Sequence, residues 1–366
     1  MTVKFVKRHE VPRSRVAEAV SQSIATGKKL STGKKVKMKP LSEVNKRFDF
    51  GQDGPKSSKY WDIHRDGVSV SSMTTWLQCR EQFRLKYVEG WEGGAYSFPI
   101  EFGQAFHFLH ECWVGGSKAW EKDLKEYRKL WIEEHPMSSP QAREQQEVAY
   151  AMVAAIWPHY AQHNKADLKR KWLSAEARFD YTMSTNCGMI PFKGYMDGVY
   201  RDRGIILHEM KTKSRVDVGQ IEETLWLDLQ VMTYLWILSK NHPKEQNFGV
   251  QYDVIRRPGT LPKKGESLTA YTKRLSKEVE KDKGHYFVRV NLSVSREHLN
   301  QFYEKVLLPI LDDMAQWAHG AAPHYPTPDA LVGRYGPCSM YQAIANHNFT
   351  GLRRKTCESG RKPRAR

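Results

Sequence analysis

Cysteine is scarce in this sequence, and long apolar runs are missing. Of the 366 residues only five are cysteines, at the scattered positions 79, 112, 187, 338 and 357. This excludes a secreted disulfide framework and favours a reducing compartment. No run approaches the roughly 20 apolar residues that span a bilayer, and the opening MTVKFVKRHE lacks a signal-peptide core, so we expect no membrane association. No G-x-x-x-x-G-K-[ST] motif occurs, so ATP is not expected.

Positive charge is concentrated at the two ends of the chain. Of the formal net charge of +17, residues 1–59 carry +10 and residues 351–366 carry +6, which leaves the body nearly neutral. Basic arms on a neutral body are typical of proteins that bind a polyanion such as nucleic acid, although tails of this kind also solubilise proteins or bind acidic partners. We interpret 1–59 as a disordered N-terminal arm and 351–366 as a basic C-terminal tail.

The body of the chain, residues 60–350, has the composition of a folded domain, since 40% of the whole chain is hydrophobic. Its periodicity predicts helices, then three strands, one long helix over 218–239, two strands and a last helix. This order predicts an α/β fold with a mixed sheet flanked by helices. Within it we interpret 116–171 as a helical insertion and the Lys- and Glu-rich segment 258–284 as a mobile connector that contains a helix.

Charged side chains end one buried strand, GIILHEMKT. Because alternate residues of a strand share a face, Glu209 and Lys211 point the same way as Leu207. A hairpin turning at RDRG would bring Asp197 beside Glu209, and two such carboxylates suit Mg²⁺ or Mn²⁺. Lys211 beside the metal can orient a water molecule and stabilise an oxyanion. Taken alone, a Glu-x-Lys motif fits an ordinary Glu–Lys pair at a strand end better than a metal site, with Asp197 simply in a turn.

Two predicted helices add polar residues at helical spacing. Gly103 and His107 lie one turn apart in EFGQAFHFLHECW, where the glycine permits close approach to a sheet and the histidine can offer a nitrogen ligand. Gln230 and Tyr234 share one face of LDLQVMTYLW. Glu176, on the strand before that of Asp197, is a weaker candidate for an additional acid.

In this order the motifs resemble the PD-(D/E)XK nuclease superfamily, and within it the RecB-like exonucleases of phage and bacterial type. The resemblance covers roughly residues 71–240 and implies a restriction-endonuclease-like core with an N-terminal helical elaboration. It implies hydrolysis of DNA phosphodiester bonds with Mg²⁺ or Mn²⁺ as cofactor. The residues that it assigns to the metal are His107, Asp197, Glu209 and the carbonyl of Met210. Those that it assigns to catalysis are Asp197, Glu209 and Lys211, and those that position the substrate strand are Gln230 and Tyr234.

The cysteines match only half of a second feature of this branch, an iron–sulfur cluster with one cysteine before the nuclease core and three after it. Cys79 and Cys338 resemble the first two ligands, but the next would fall at Tyr341, and His347 or Cys357 could complete a site only with unusual spacing. A four-cysteine cluster cannot form from this pattern. We therefore expect the degenerate cysteines to be packed residues, with a metal clasp as the alternative.

The resemblance implies an exonuclease that processes single-stranded or duplex DNA ends in recombination, repair or replication. It further implies a cytoplasmic enzyme of a bacterial or phage-infected cell, which works beside a single-strand annealing or binding protein. A structure-specific endonuclease of the same fold would use the same residues. A non-catalytic DNA-binding subunit of a recombination complex is the alternative from another class.

Overall fold

The computed structural model describes residues 55–93, 96–135, 139–322, 324–333 and 336–355. Nearly all of the predicted N-terminal arm, most of the predicted C-terminal tail and Cys357 lie outside these ranges. Within them, the strands in chain order are β1 (Trp91–Gly93), β2 (Lys171–Thr185), β3 (Gly188–Arg201), β4 (Ile205–Lys213), β5 (Asn247–Arg256), β6 (Phe287–Ser295), β7 (Val332–Gly333), β8 (Gly336–Pro337) and β9 (Leu352–Arg354).

The central sheet has the order β2-β3-β4-β5-β6 in the described part of the chain. Strands β4 and β5 run parallel, and the other neighbours pair antiparallel. The parallel pair needs a crossover, and a helical segment between the two strands provides it. The predicted mixed sheet flanked by helices is therefore confirmed.

The helices pack on both faces of this sheet. In chain order they are α1 (Val70–Gln78), α2 (Arg80–Phe83), α3 (Phe98–Val114), α4 (Trp120–Glu134), α5 (Pro140–His163), α6 (Val218–Thr224), α7 (Leu229–Asn241), α8 (Leu268–Lys281), α9 (Lys283–Tyr286), α10 (Arg296–Phe302), α11 (Leu308–Ala318), α12 (Pro328–Leu331) and α13 (Tyr341–Asn346). Serines cap several of them; Ser69, for example, accepts the backbone N–H of Ser72 at 3.2 Å. Among the described helices, none has both the length and the apolar character needed to cross a bilayer.

Two apolar cores lie on opposite faces of the sheet. Strand β4 supplies Leu207 to the first core and Met210 to the second, in keeping with the alternation of side chains along a strand. The first core also contains Trp76, Leu235, Val254 and Trp317. The second also contains Phe106, Trp157, Ile255 and Tyr271. The strand that bears Glu209 and Lys211 is thus packed from both sides.

The segments expected to be an insertion and a connector contribute to the second core. Helices α4 and α5 occupy most of 116–171, and α8 occupies half of 258–284. In α8, the side chains of Tyr271, Leu275 and Val279 are fully buried. The helix expected in the connector is therefore present and packed, and mobility of the rest of this segment stays a prediction.

The prediction of a single helix over 218–239 is wrong, because the helix is interrupted before Asp228. Helix α6 passes through a 3₁₀ turn, Leu225–Leu227, before α7 begins. Asp228 has an extended backbone, and its carboxylate accepts the N–H groups of Gln230 and Val231 at 2.9 and 3.0 Å. Because Asp228 caps a new helix, Gln230 lies in the first turn of α7 and not in the middle of a long helix.

The last described strand pairs with a strand from the early part of the fold. Strands β1 and β9 are antiparallel neighbours, so part of the segment expected to be a tail is a strand. The ring of Trp91 packs on that of Phe349, with centroids 4.6 Å apart. This pairing and ring contact fix the last described residues against the segment that precedes α3.

The two described cluster candidates lie near each other. Cys79 is buried, and its Sγ accepts the N–H groups of Gln82 and Thr327 at 3.5 and 3.4 Å. Burial raises the pKa of Cys338, as does the charge of the nearby Cys79. These contacts are those of a helix cap and a packed thiol. Since Cys357 lies outside the described residues, the expectation about a cluster stays a prediction.

Replacing Gly67 by alanine is expected to destabilise the fold by about 3 kcal/mol or more. Gly67 has a φ of +69°, and an added Cβ would lie 1.8 Å from the carbonyl oxygen of Pro191. Gly116 has a φ of +98° with nothing within 4 Å of an added Cβ, so Gly116→Ala should cost only the backbone strain, about 1–2 kcal/mol. Urea unfolding measures both, and equal losses would contradict the prediction.

Candidate metal centre

The β3–β4 hairpin brings two carboxylates together where its pairing ends. The paired register runs from Arg201 opposite Ile205 to Gly198 opposite His208. Asp197 and Glu209 follow directly, at the point where the two strands separate. The arrangement is that of the hairpin predicted from the sequence.

Asp197 is held by two hydrogen-bond donors. Its Oδ1 lies 3.1 Å from Nδ1 of His107, and its Oδ2 accepts the backbone N–H of Met210 at 2.7 Å. That N–H is available because β3 no longer pairs with β4 at Met210. Burial alone would raise the pKa of Asp197, but the charges of His107 and Lys211 and the Met210 N–H lower it. Coordination by the Met210 carbonyl stays a prediction.

Glu176 completes a group of three metal-type ligands. The β2–β3 register pairs Ala175 with Gly198, which places Glu176 opposite Asp197. One ligand atom each from His107, Glu176 and Asp197 lies within 4.8 Å of the others. Glu176 also has a left-handed backbone, with a φ of +44°, although it lies within a strand. The acid treated as the weaker candidate is therefore at the centre of the site.

His107 reaches this group from helix α3, which lies close to β4. A Cβ added to Gly103 would lie 3.0 Å from Oγ1 of Thr212, so the glycine permits the close approach expected of it. Burial alone would lower the pKa of His107, but the charge and hydrogen bond of Asp197 raise it to about 9. His107 is thus the counter-ion of Asp197.

A second histidine on the same helix faces elsewhere. His110 is buried and stacks on His208, with ring centroids 4.7 Å apart and the planes inclined by 12°. It is not among the three grouped ligands around Asp197. His110 packs within the fold, one turn beyond the residue that reaches the carboxylates.

Glu209, Lys211 and Gln230 form a closed set of hydrogen bonds. Lys211 Nζ donates to Oε1 of Glu209 at 2.5 Å and to Oε1 of Gln230 at 2.9 Å. Nε2 of Gln230 donates to Oε1 of Glu209 at 2.8 Å. Oε2 of Glu209 is buried and has no hydrogen-bond partner among the described residues. One oxygen of this buried carboxylate is thus without a partner among the described residues and is available to a ligand.

The electrostatics of this set favour a bound cation. Burial raises the pKa of Glu209, and the neighbouring Asp197 raises it further, so the carboxylate needs additional positive charge to stay ionised. Burial alone would lower the pKa of Lys211, but both carboxylates raise it above its usual value. Lys211 is therefore held as a charged hydrogen-bond donor to Glu209 and Gln230.

Tyr234 lies behind Gln230 and away from solvent. It is 5% exposed, and its side chain hydrogen-bonds to Gln230. A Cβ added to Gly194 would lie 3.0 Å from the hydroxyl of Tyr234, so the glycine leaves room for the tyrosine side chain. The structure thus brings Gln230 and Tyr234 to Lys211, and direct contact of either residue with a substrate strand stays a prediction.

The described donors suit a hard divalent cation. The grouped donors are the carboxylate oxygens of Glu176 and Asp197 and one imidazole nitrogen of His107. Glu209 is not part of this group, but its buried Oε2 is an unused acceptor. The sheet supplies the acids from three adjacent strands, and α3 supplies the histidine. The pairing of β3 with β4 ends just before Asp197 and Glu209, which the sequence pattern does not reveal, and this frees the Met210 N–H to bind Asp197.

Comparisons with known proteins agree with this geometry. The family model of the PD-(D/E)XK nuclease superfamily matches residues 67–340, three quarters of the chain. No curated protein matches. A solved structure described as "Crystal structure of SSO0001" is similar at a TM-score of 0.22 and 14% identity over 56% of this chain and 74% of that chain, too low to carry an argument. Nucleases of the superfamily use divalent metals, as the grouped carboxylates and histidine would allow. The chain belongs to the PD-(D/E)XK nuclease superfamily.

Proposed function

We propose that the protein is a metal-dependent DNA exonuclease of the RecB-like branch, which hydrolyses phosphodiester bonds with Mg²⁺ or Mn²⁺. The superfamily supports nuclease activity. The branch is supported by the order of the Gly103/His107, Asp197, Glu209-x-Lys211 and Gln230/Tyr234 motifs. The observation that carries the proposal is the grouping of His107, Glu176 and Asp197 next to a buried carboxylate oxygen of Glu209 with no partner.

Asp197, Glu209 and His107 would hold the cation, with Glu176 as an additional oxygen ligand and the Met210 carbonyl as a further candidate. A divalent cation bound there would lower the pKa of a coordinated water and neutralise charge on the phosphate oxygens. The His107 ring now balances the charge of Asp197, and a cation at the same oxygens would take over that role. Glu209 would gain the positive charge that keeps a buried carboxylate ionised.

Lys211 would orient the attacking water and stabilise negative charge on the phosphate, because its raised pKa keeps it a donor. Gln230 would fix the direction of the Lys211 ammonium through their 2.9 Å hydrogen bond. Tyr234 would in turn hold Gln230. Tyr234 therefore acts on the reaction through its neighbours, as a positioning residue.

DNA is the proposed partner, either single-stranded or as duplex ends. The basic segments 1–59 and 351–366 would add sequence-independent phosphate binding that weakens with salt. We further propose that the enzyme processes DNA ends in recombination, repair or replication, beside a single-strand annealing or binding protein. The cytoplasm of a bacterial or phage-infected cell is the proposed compartment.

Short labelled DNA strands and duplexes with free or chemically blocked ends test the exonuclease assignment. In Mg²⁺, substrates with a free end should be digested to short products, while doubly blocked substrates should survive. The same strands with only the 5′ or only the 3′ end blocked give the polarity. EDTA should stop all digestion, since no cation would then be held.

Two outcomes would overturn this assignment. Cleavage of a doubly blocked substrate at a junction or flap would identify a structure-specific endonuclease. Binding of DNA without cleavage in either Mg²⁺ or Mn²⁺ would identify a non-catalytic subunit of a DNA-processing complex. Lys211→Ala protein purified in parallel controls for contaminating nucleases.

A further inference from the structure

A pocket of about 280 Å³ lies beside the candidate metal centre. Lys213 and Tyr252 line it from the sheet, and helix α6 with the turn that leads into α7 lines the other side. The lining residues are Lys213, Ile221, Thr224, Leu225, Leu227, Asp228 and Tyr252. It is thus mostly apolar, with one cationic and one anionic side chain.

The strand registers place this pocket next to the reacting groups. Lys213 follows Lys211 by two residues on β4, so both side chains leave the same face of the sheet. Tyr252 pairs with Glu209 across the parallel β4–β5 ladder and therefore shares that face. On the other wall, Asp228 caps the helix turn that presents Gln230. The pocket and the metal centre are therefore neighbours on one surface.

The chemistry of the lining suits a flat heteroaromatic group. Aliphatic side chains and the Tyr252 ring can contact the faces of a base, while Lys213 and Asp228 offer a donor and an acceptor to its polar edge. Lys213 Nζ lies 5.5 Å from the centroid of the Tyr252 ring, so the cation is held at the pocket. Leu227 is 59% exposed at this position, which leaves apolar surface uncovered.

We propose that this pocket receives one unstacked nucleobase of a single-stranded segment of DNA, next to the phosphate at the metal centre. The inference rests on the proposed function and adds a subsite to it. The volume is at the lower end of small-molecule pockets, so it suits one base and not a dinucleotide. Because a base must leave the stack to enter, the subsite favours single-stranded over duplex substrate at this position.

Oligonucleotides with one abasic nucleotide at successive positions from the digested end provide the first test. For the wild type, kcat/KM should fall by about fivefold to 100-fold at one position, where the missing base would occupy the pocket. Abasic nucleotides elsewhere should have smaller effects. Equal effects at all positions would overturn the proposal.

Leu227→Ala and Lys213→Met provide the second test. Each should lower kcat/KM for intact strands by about fivefold to tenfold and weaken the dependence on the critical abasic position, because the base then has less to bind. Lys213→Met should also reduce the salt dependence of binding if its ammonium contacts a phosphate. Insensitivity of both variants would overturn the proposal.

Trp226→Ala is the matched control. Trp226 is also exposed, at 45%, and adjoins Leu227, but its Nε1 donates to the carbonyl of Glu223 and its ring faces His298. It does not line the pocket, so kcat/KM and the abasic profile should stay as in the wild type. An effect equal to that of Leu227→Ala would show that exposed apolar surface in general, and not the pocket, binds the strand.

A binding assay separates this inference from the proposed function. Fluorescence anisotropy of a labelled oligonucleotide in Ca²⁺ reports strand binding without requiring cleavage. Loss of affinity for intact DNA in Leu227→Ala, but not for DNA abasic at the critical position, would support the pocket even if no cleavage occurs. Cleavage with no such difference would leave the nuclease function standing and refute the subsite.

Discussion

Lys211→Ala is expected to lower the rate of metal-dependent DNA cleavage by about 10²–10³-fold or more. The Lys211 ammonium lies 2.5 Å from Glu209 and 2.9 Å from Gln230, so its donor is fixed beside the proposed cation. The carboxylates of Glu209 and Asp197 raise the pKa of Lys211, so its ammonium stays charged at neutral pH. Single-turnover cleavage of a labelled strand in Mg²⁺ measures the effect on the chemical step.

Two further variants make this experiment decisive. Lys171 is an exposed lysine at the start of β2, and Lys171→Ala should leave the rate unchanged. Lys211→Met retains more of the apolar stem if the alanine variant folds poorly, and circular dichroism melting reports folding for both. A folded Lys211→Met protein that cleaves as fast as the wild type would refute the assigned role.

Divalent cations should raise the melting temperature of the wild type, and Asp197→Asn should abolish most of this increase. Cation binding to the native state alone adds about 2.7 kcal/mol of stability at roughly 100 times the Kd. Asparagine keeps an oxygen that can accept the Met210 N–H, but it removes the charge that holds both His107 and a cation. Thermal melts in Mg²⁺, Mn²⁺ and EDTA measure the shift, and cleavage should fall by 10²-fold or more.

Asp180→Asn controls for loss of one negative charge. Asp180 lies on β2, four residues beyond Glu176, is 59% exposed and pairs with the exposed Arg178 rather than with a residue of the site. Its variant should keep the full cation-dependent shift. An unchanged shift in Asp197→Asn would mean that the cation binds elsewhere, and the proposed centre would be wrong.

The hairpin that unites Asp197 with Glu209 could be predicted because local patterns determine it. An apolar strand, a polar turn with a glycine and a second strand fix the register within a short stretch of chain. The position of His107 on the polar side of an apolar helix follows from periodicity in the same way. These parts of the site depend on contacts that are close in sequence or on one amphipathic face.

The position of Glu176 beside Asp197 could not be predicted as firmly as the hairpin that joins Asp197 to Glu209. Its approach to Asp197 depends on the β2–β3 register and on a left-handed backbone at a glutamate, a conformation that no local pattern requires. The break at Asp228 was missed because the apolar spacing continues through it. Aspartate is a preferred N-cap residue, so Asp228 in WLDLQ indicates the start of a new helix, although the apolar periodicity alone does not show it.

The position of β4 between two cores has a consequence for engineering this enzyme. Leu207 packs in one core and Met210 in the other, so a replacement at almost any inward position of this strand would disturb one core or the other. The end of α6 and the turn that follows it contribute the exposed residues Thr224 and Leu227 to the pocket. Variants with altered substrate preference should therefore be sought by randomising Thr224 and Leu227, while the residues of β4 are kept unchanged.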